Sequence, residues 1–158
     1  MMKVQIGLSE SARSTVVELL NTLLADEYVL YTKTRNFHWN VTGPDFHALH
    51  KFFEAQYEQV DGFVDDVAER VRQLGGRALG SLAEFGKATR LKESPKGRPD
   101  AAGMVQALLS DHEAVIRALR QDLETSDKAG DEGTTDFLTG LLEQHEKMAW
   151  MLRAHLEP

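Results

Sequence analysis

The chain has 158 residues, no cysteine and a formal charge of −7, which excludes disulfides, thiolate metal centres and cysteine nucleophiles. The negative balance argues against a basic nucleic-acid surface and favours attraction of cations. No apolar run reaches bilayer length and Met1–Gly7 lacks the apolar block of a secretory signal, so one cytoplasmic domain over residues 1–158 is expected.

Residues 1–9 read as a short tail whose one basic residue is Lys3. Ser9 or Ser11 caps a first helix expected to run to about Phe37. Val16, Leu20, Leu23, Glu27, Leu30, Tyr31 and His38 fall along one broad face of it. Gly43-Pro44 breaks the chain and restarts it as a second helix from about Pro44, with Asp45 near its positive end. Leu49, Phe53, Tyr57, Val60, Val64, Val67, Val71 and Leu74 recur there at three- and four-residue steps, and Gly75-Gly76 ends the helix. Ser81 to Lys87 suits two turns of a short helix, with Leu82 and Phe85 as its apolar contacts. Lys92 to Pro99 is a loop rich in proline, glycine and charge.

A third long helix fits Asp100 to about Thr125, with Met104, Leu108, Val115, Leu119 and Leu123 inward. Asp127 to Gly133 is a polar turn. The last helix runs from about Thr134 to His155, with Phe137, Leu141, Met148, Trp150, Met151 and Leu152 as its apolar positions. No strand-like alternation appears. Four long helices with a short one in the middle connection predict an all-α four-helix bundle with a long crossover.

The second helix also carries the chemistry. Each helical residue turns about 100° and rises about 1.5 Å. With His50 at zero, Glu54 falls near ~40°, Asp65 near ~60° and Glu69 near ~100°. Glu58 and Asp61 share this strip, and a polar helix face is commonly just solvated. Imidazole combined with carboxylate nevertheless suits iron, zinc or manganese. Asp65 lies fifteen residues beyond His50, so their backbones are about 22 Å apart along the axis. One ion with bonds of about 2 Å cannot bridge that span. Two half-sites remain, and an isologous dimer joins them by bringing His50 of one copy to Asp65 and Glu69 of the other.

Other chemistries find less support. No histidine has glutamate three residues before it, so the Glu-x-x-His pairs of an internal di-iron bundle are missing. There is no Gly-x-Ser-x-Gly elbow and no phosphate-cradling glycine loop. His38 reads either as a ligand or as a cap on the first helix, and His47 as exposed. Trp39 reads as a packing residue, with electron donation beside a metal as its sharper alternative. Asp131 and Asp136 are most simply turn and first-turn residues. His112, His145 and His155 read as surface or boundary positions.

Asn36-Phe37-His38-Trp39-Asn40-Val41, Gly43-Pro44, Phe46-x-x-Leu49-His50, Asp65-x-x-Ala68-Glu69-Arg70 and Leu74-Gly75-Gly76 together form a specific pattern. Across essentially its whole length the chain resembles the Dps family, small ferritin-like proteins that protect DNA in starved or oxidatively stressed bacteria. The resemblance implies a ferritin-like bundle assembled into a dodecameric shell, with ferroxidase centres at dimer interfaces. His38, His50 and Glu54 would come from one subunit, and Asp65 and Glu69 from its mate. Ferrous iron would be oxidised, preferably by hydrogen peroxide, and stored as ferric mineral. Glu54 departs from the aspartate usual in the family and lengthens that side chain by one methylene. Asp131 and Asp136 resemble acidic residues of the family's threefold pores.

Members that bind DNA directly often use lysine-rich tails. Here the first tail has only Lys3 and the chain stops at Pro158, just after the last helix. Weak or no DNA binding without divalent cations is therefore expected, with protection coming from iron and peroxide chemistry. The competing reading is a nucleoid-associated structural protein that coats DNA and oxidises iron weakly.

Overall fold

The computed structural model describes residues 4–93 and 97–157. Lys3, the centre of the 92–99 loop and Pro158 lie outside the described residues. Five helices follow one another: α1 (Glu10–Asn40), α2 (Phe46–Gln73), α3 (Leu82–Ala88), α4 (Ala101–Lys128) and α5 (Glu132–Ala154). Among the described residues there is no strand.

Local chemistry sets the boundaries. Ser9 caps α1 by accepting from the Ala12 amide at 3.1 Å. α1 runs past the expected stop at Phe37, because Asn40 turns back to the Asn36 carbonyl at 2.9 Å and extends the last turn. His38 thus lies inside the final turn. Asp45 occupies the N-cap of α2 without a side-chain capping bond, so that helix starts at Phe46 rather than Pro44. Gly75, at φ 84°, supplies the left-handed residue that closes α2. Ser81 and Glu84 form a reciprocal capping box at α3.

α1 and α2 pack as an antiparallel hairpin, α4 and α5 as a second, and α3 lies against α1 in the crossover. Each long helix contributes its apolar stripe to one core, from Val16, Leu20 and Leu30 through Phe53, Val60, Val67 and Leu119 to Leu152. Arg90 pins the crossover. Its guanidinium meets Asp26 of α1 at 2.7 Å and Asp122 of α4 at 3.0 Å.

Several expected apolar contacts point outward instead. Leu82 is 73% exposed because it opens the short α3, whose inward turn is taken by Phe85 stacked on Tyr28 at 4.4 Å. Trp150 and Met151 are exposed, since the inward stripe of α5 runs through Leu141, His145, Met148 and Leu152. Trp39 is not a packing residue of this chain. It is 63% exposed, on the outer side of the last turn of α1.

Candidate metal centre

The tight link between α1 and α2 brings His38 and His50 together. Gly43 makes the turn at φ 110° and its carbonyl accepts from the Phe46 amide at 3.1 Å. The two imidazoles stack with centroids 3.8 Å apart. Nδ1 of His38 donates to the His50 carbonyl at 2.7 Å, and Nδ1 of His50 donates to the His38 carbonyl at 2.8 Å. A carbonyl only accepts, so both rings must carry the proton on Nδ1. Nε2 of each ring is then the nitrogen left to meet a metal, in the arrangement by which backbone carbonyls orient histidine ligands. His38 is buried and His50 half-buried.

Glu54, one turn along α2, is half-buried and turned towards Lys51 at 2.6 Å. That hydrogen bond holds its carboxyl below the usual value; the charges of Lys51, His38 and His50 act in the same direction, and burial opposes them. Lys51 therefore competes with any cation for Glu54. The sequence reading missed this competition, although an (i, i+3) lysine–glutamate pair on one helix is its standard signal. Tyr57 closes the other side, its ring edge-on to His38 at 5.2 Å.

Asp65 and Glu69 sit farther along α2 with both carboxylates exposed. Within one chain they do not join the histidines. Among the described residues no three histidine or acidic side chains converge as a metal cluster. His50 and the Asp65–Glu69 carboxylates thus stand apart on one helix, with His50 about 22 Å from Asp65 along the axis.

The Ferritin-like domain family matches residues 17–158. The low temperature-induced protein all0458 of Nostoc sp. is 48% identical over 99% of this chain and 88% of its own length. DNA protection during starvation protein 2 of Bacillus anthracis is 40% identical, covering 89% of this chain and 96% of that protein. The solved DPS protein of Vibrio cholerae O1, a member of a broad superfamily of ferritin-like diiron-carboxylate proteins, is 33% identical. It superposes with a TM-score of 0.93, covering 99% of this chain and 98% of that one. The chain belongs to the Dps family.

In this Dps chain the two pore candidates differ in freedom. Asp131 is buried, caps α5 through the Thr134 amide at 3.0 Å and pairs with Arg70 at 3.0 Å. Asp136 is exposed. Asp131 is committed within the fold, and only Asp136 is free to meet a passing cation.

His112 and His145 are not surface residues, as the sequence suggested. Both are fully buried, on the stripes Leu108-His112-Val115-Leu119 and Leu141-His145-Met148-Leu152. Their spacing along those stripes was the available signal. His155 is exposed, as expected. His145 Nε2 donates to Glu27 at 2.8 Å, and Nδ1 of His145 meets Nδ1 of His112 in a second hydrogen bond at 3.0 Å. The chain of bonds ends at His112 Nε2, which is buried and, among the described residues, has no partner.

Burial holds the His112 imidazole well below its ordinary value of 6.5, and His145 pushes the same way. Below about pH 6.5 the unfolded chain takes up a proton that the fold refuses. The stability contributed by neutral His112 is therefore complete above that pH and falls as pH drops from there. The slope for this proton is half of its limit at pH 6.5 and approaches about 1.4 kcal/mol per pH unit by pH 5. Denaturant unfolding of His112→Leu at pH 6.5, 5.75 and 5 should show the wild-type slope reduced by that amount, whatever the change in absolute stability. An unchanged slope would place the acid sensitivity elsewhere.

Proposed function

We propose that this Dps chain oxidises ferrous iron with hydrogen peroxide at sites shared between two copies of itself, and stores the ferric product inside a shell, the dodecamer of the family. The observation that carries this reading is the reciprocal His38–His50 lock, which engages Nδ1 of both rings and leaves Nε2 of each as the nitrogen that would meet a metal. Ferrous iron is the substrate. His38 and His50 bind it through neutral nitrogen, which favours the ferrous ion on entry. Glu54 from the same copy, and Asp65 and Glu69 from its mate, supply hard anionic oxygen that favours the ferric product. Each peroxide takes one electron from each of two ferrous ions and, with two protons, leaves as two waters. Both reactants that would generate hydroxyl radical are consumed together.

Association is supported by the large apolar side chains left outward on this chain, Trp39, Phe46, Leu82 and Trp150. No helix among the described residues is long and apolar enough to cross a membrane, and the cytoplasm is the proposed setting.

The test is ferric absorbance after anaerobic ferrous loading and peroxide addition, in wild type and Asp65→Ala. Removing a carboxylate that meets iron should slow oxidation by about 10- to 100-fold, the usual penalty for disturbing a metal site. Equal rates, both above a protein-free control, would take Asp65 out of the mechanism.

Protection by coating DNA is the other reading, and charge argues against it. With −7 on each copy, phosphate contacts are few and salt-sensitive. Plasmid should migrate unshifted with this protein at physiological salt in chelator. A shift that needs magnesium fits bridging between acidic surfaces, whereas a robust shift in chelator would restore the coating reading.

A further inference from the structure

The candidate ligand Glu54 is already held by a cation: Nζ of Lys51 lies 2.6 Å from its Oε2. Around the axis of α2, Glu54 stands ~40° from His50 and ~60° from Lys51, so its side chain has an imidazole on one side and an ammonium on the other. Glu54 is half-buried, while the Lys51 side chain is 60% exposed and can swing into solvent. Glu58, one turn beyond Glu54 and exposed, also attracts the Lys51 ammonium and gives it a second station on the same strip. An ion pair this exposed is weak and readily exchanged. Helix stability does not account for it well, because the favoured order along a helix is glutamate before lysine, and here lysine comes first.

We propose that Lys51 is a tethered stand-in for a metal cation, occupying Glu54 while the centre is empty and expelled by ferrous iron, so that two ferrous ions load together rather than one at a time. The proposal rests on the iron reading above. The ammonium opposes a ferrous ion in two ways: it takes up the Glu54 carboxylate, and it adds a positive charge where another must enter. Both ions of a loaded centre meet that opposition, yet the lysine has to leave only once. The first ion expels it and the second finds Glu54 released, so binding of one favours binding of the other. The chemistry gains from this. A lone ferrous ion gives peroxide one electron and leaves one ferric ion, one hydroxide and one hydroxyl radical, whereas two ferrous ions carry peroxide to water. A latch that thins out the singly loaded centre suppresses the harmful branch.

Anaerobic equilibrium dialysis of the assembled full-length protein against ferrous iron reads the midpoint and steepness of binding without any oxidation. Lys51→Met removes the ammonium and keeps an unbranched side chain. It should bind ferrous iron with a midpoint several-fold lower and along a shallower curve than wild type, while Lys51→Arg should stay near wild type. Repulsion between the two ferrous ions is the same in each protein, so the comparison reads the lysine. Glu54→Gln leaves no carboxylate for the ammonium to occupy, and adding Lys51→Met to it should move the midpoint far less. With peroxide added at half saturation, Lys51→Met should release more hydroxyl radical to a spin trap, per ferric ion formed, than wild type. An unchanged midpoint and slope in Lys51→Met overturns the latch alone. So does an equal tightening in the Glu54→Gln background, since the lysine would then act only as a distant charge. No ferrous binding by assembled wild type overturns the iron reading, and the latch with it.

Discussion

Two variants that are each inactive should recover roughly a quarter of wild-type iron oxidation when their subunits are mixed in one shell. One variant carries His38→Ala and His50→Ala, the other Asp65→Ala and Glu69→Ala. In a mixed dimer with isologous symmetry, one of the two interface sites draws intact histidines from one chain and intact carboxylates from the other. The second site of that dimer has lost both halves. Random pairing makes about half of the dimers mixed, hence the quarter. A site built within one chain gains nothing, because every subunit remains broken. The geometry favours the shared site. His50 and Asp65 are about 22 Å apart along a straight helix, and no three-residue metal cluster forms among the described residues of one chain. The variants must be co-expressed with different tags and shells carrying both tags purified, since preassembled shells need not exchange subunits. Loss of the His38–His50 lock removes two hydrogen bonds, so assembly of each variant is checked by size first. Activity that stays at the level of the single variants, in shells verified to contain mixed dimers, would sink the shared site.

How legible all this was in the sequence depended on what each residue's surroundings had to supply. The helices were readable because Ser9, Gly75 and the Ser81–Glu84 pair act within one or two turns of themselves. His38 and His50 could be singled out by type and spacing, but their tautomers could not. Those depend on two carbonyls facing two rings across the turn. Lys51 was passed over because a lysine beside a candidate ligand looks like surface charge until its rotamer is known. His112 and His145 were misread for a different reason. A histidine is normally kept near water, and its burial here depends on Glu27 from a third helix. Trp39, Leu82 and Trp150 erred the opposite way: apolar type suggested the core, while helix phase turned them outward. That rule is weaker for any chain that associates with copies of itself, because a face exposed on one copy can be core in the assembly.

Arg90→Ala should be among the most damaging substitutions of a charged residue away from the candidate metal centre, although nothing in the sequence around Arg90 marks it. Its guanidinium joins three elements: the crossover that carries it, Asp26 of α1 and Asp122 of α4. Asp26 is 1% exposed and accepts three hydrogen bonds from this corner, from the Thr89 hydroxyl, the Arg90 amide and the Arg90 Nε. Burial pushes the Asp122 carboxyl up, against the opposing pull of Arg90. Removing the arginine leaves two carboxylates facing each other with little water to replace it. Breaking such a pair costs about 3–5 kcal/mol when fully buried. The Arg90 side chain is 33% exposed, so the lower end, about 3 kcal/mol, is expected. For a chain of this size that is a fall in Tm of about 6–12 °C, measured at fixed protein concentration because assembly also adds stability. Arg90→Lys keeps the charge but cannot reach both carboxylates with one planar fork, and should fall between. The decisive variant adds Asp26→Asn and Asp122→Asn to Arg90→Ala. If the cost lies in unpaired buried charge, neutralising both partners restores part of the lost stability. A Tm for Arg90→Ala within a degree or two of wild type, or a triple variant less stable than the single one, would show that the clamp does not hold the crossover.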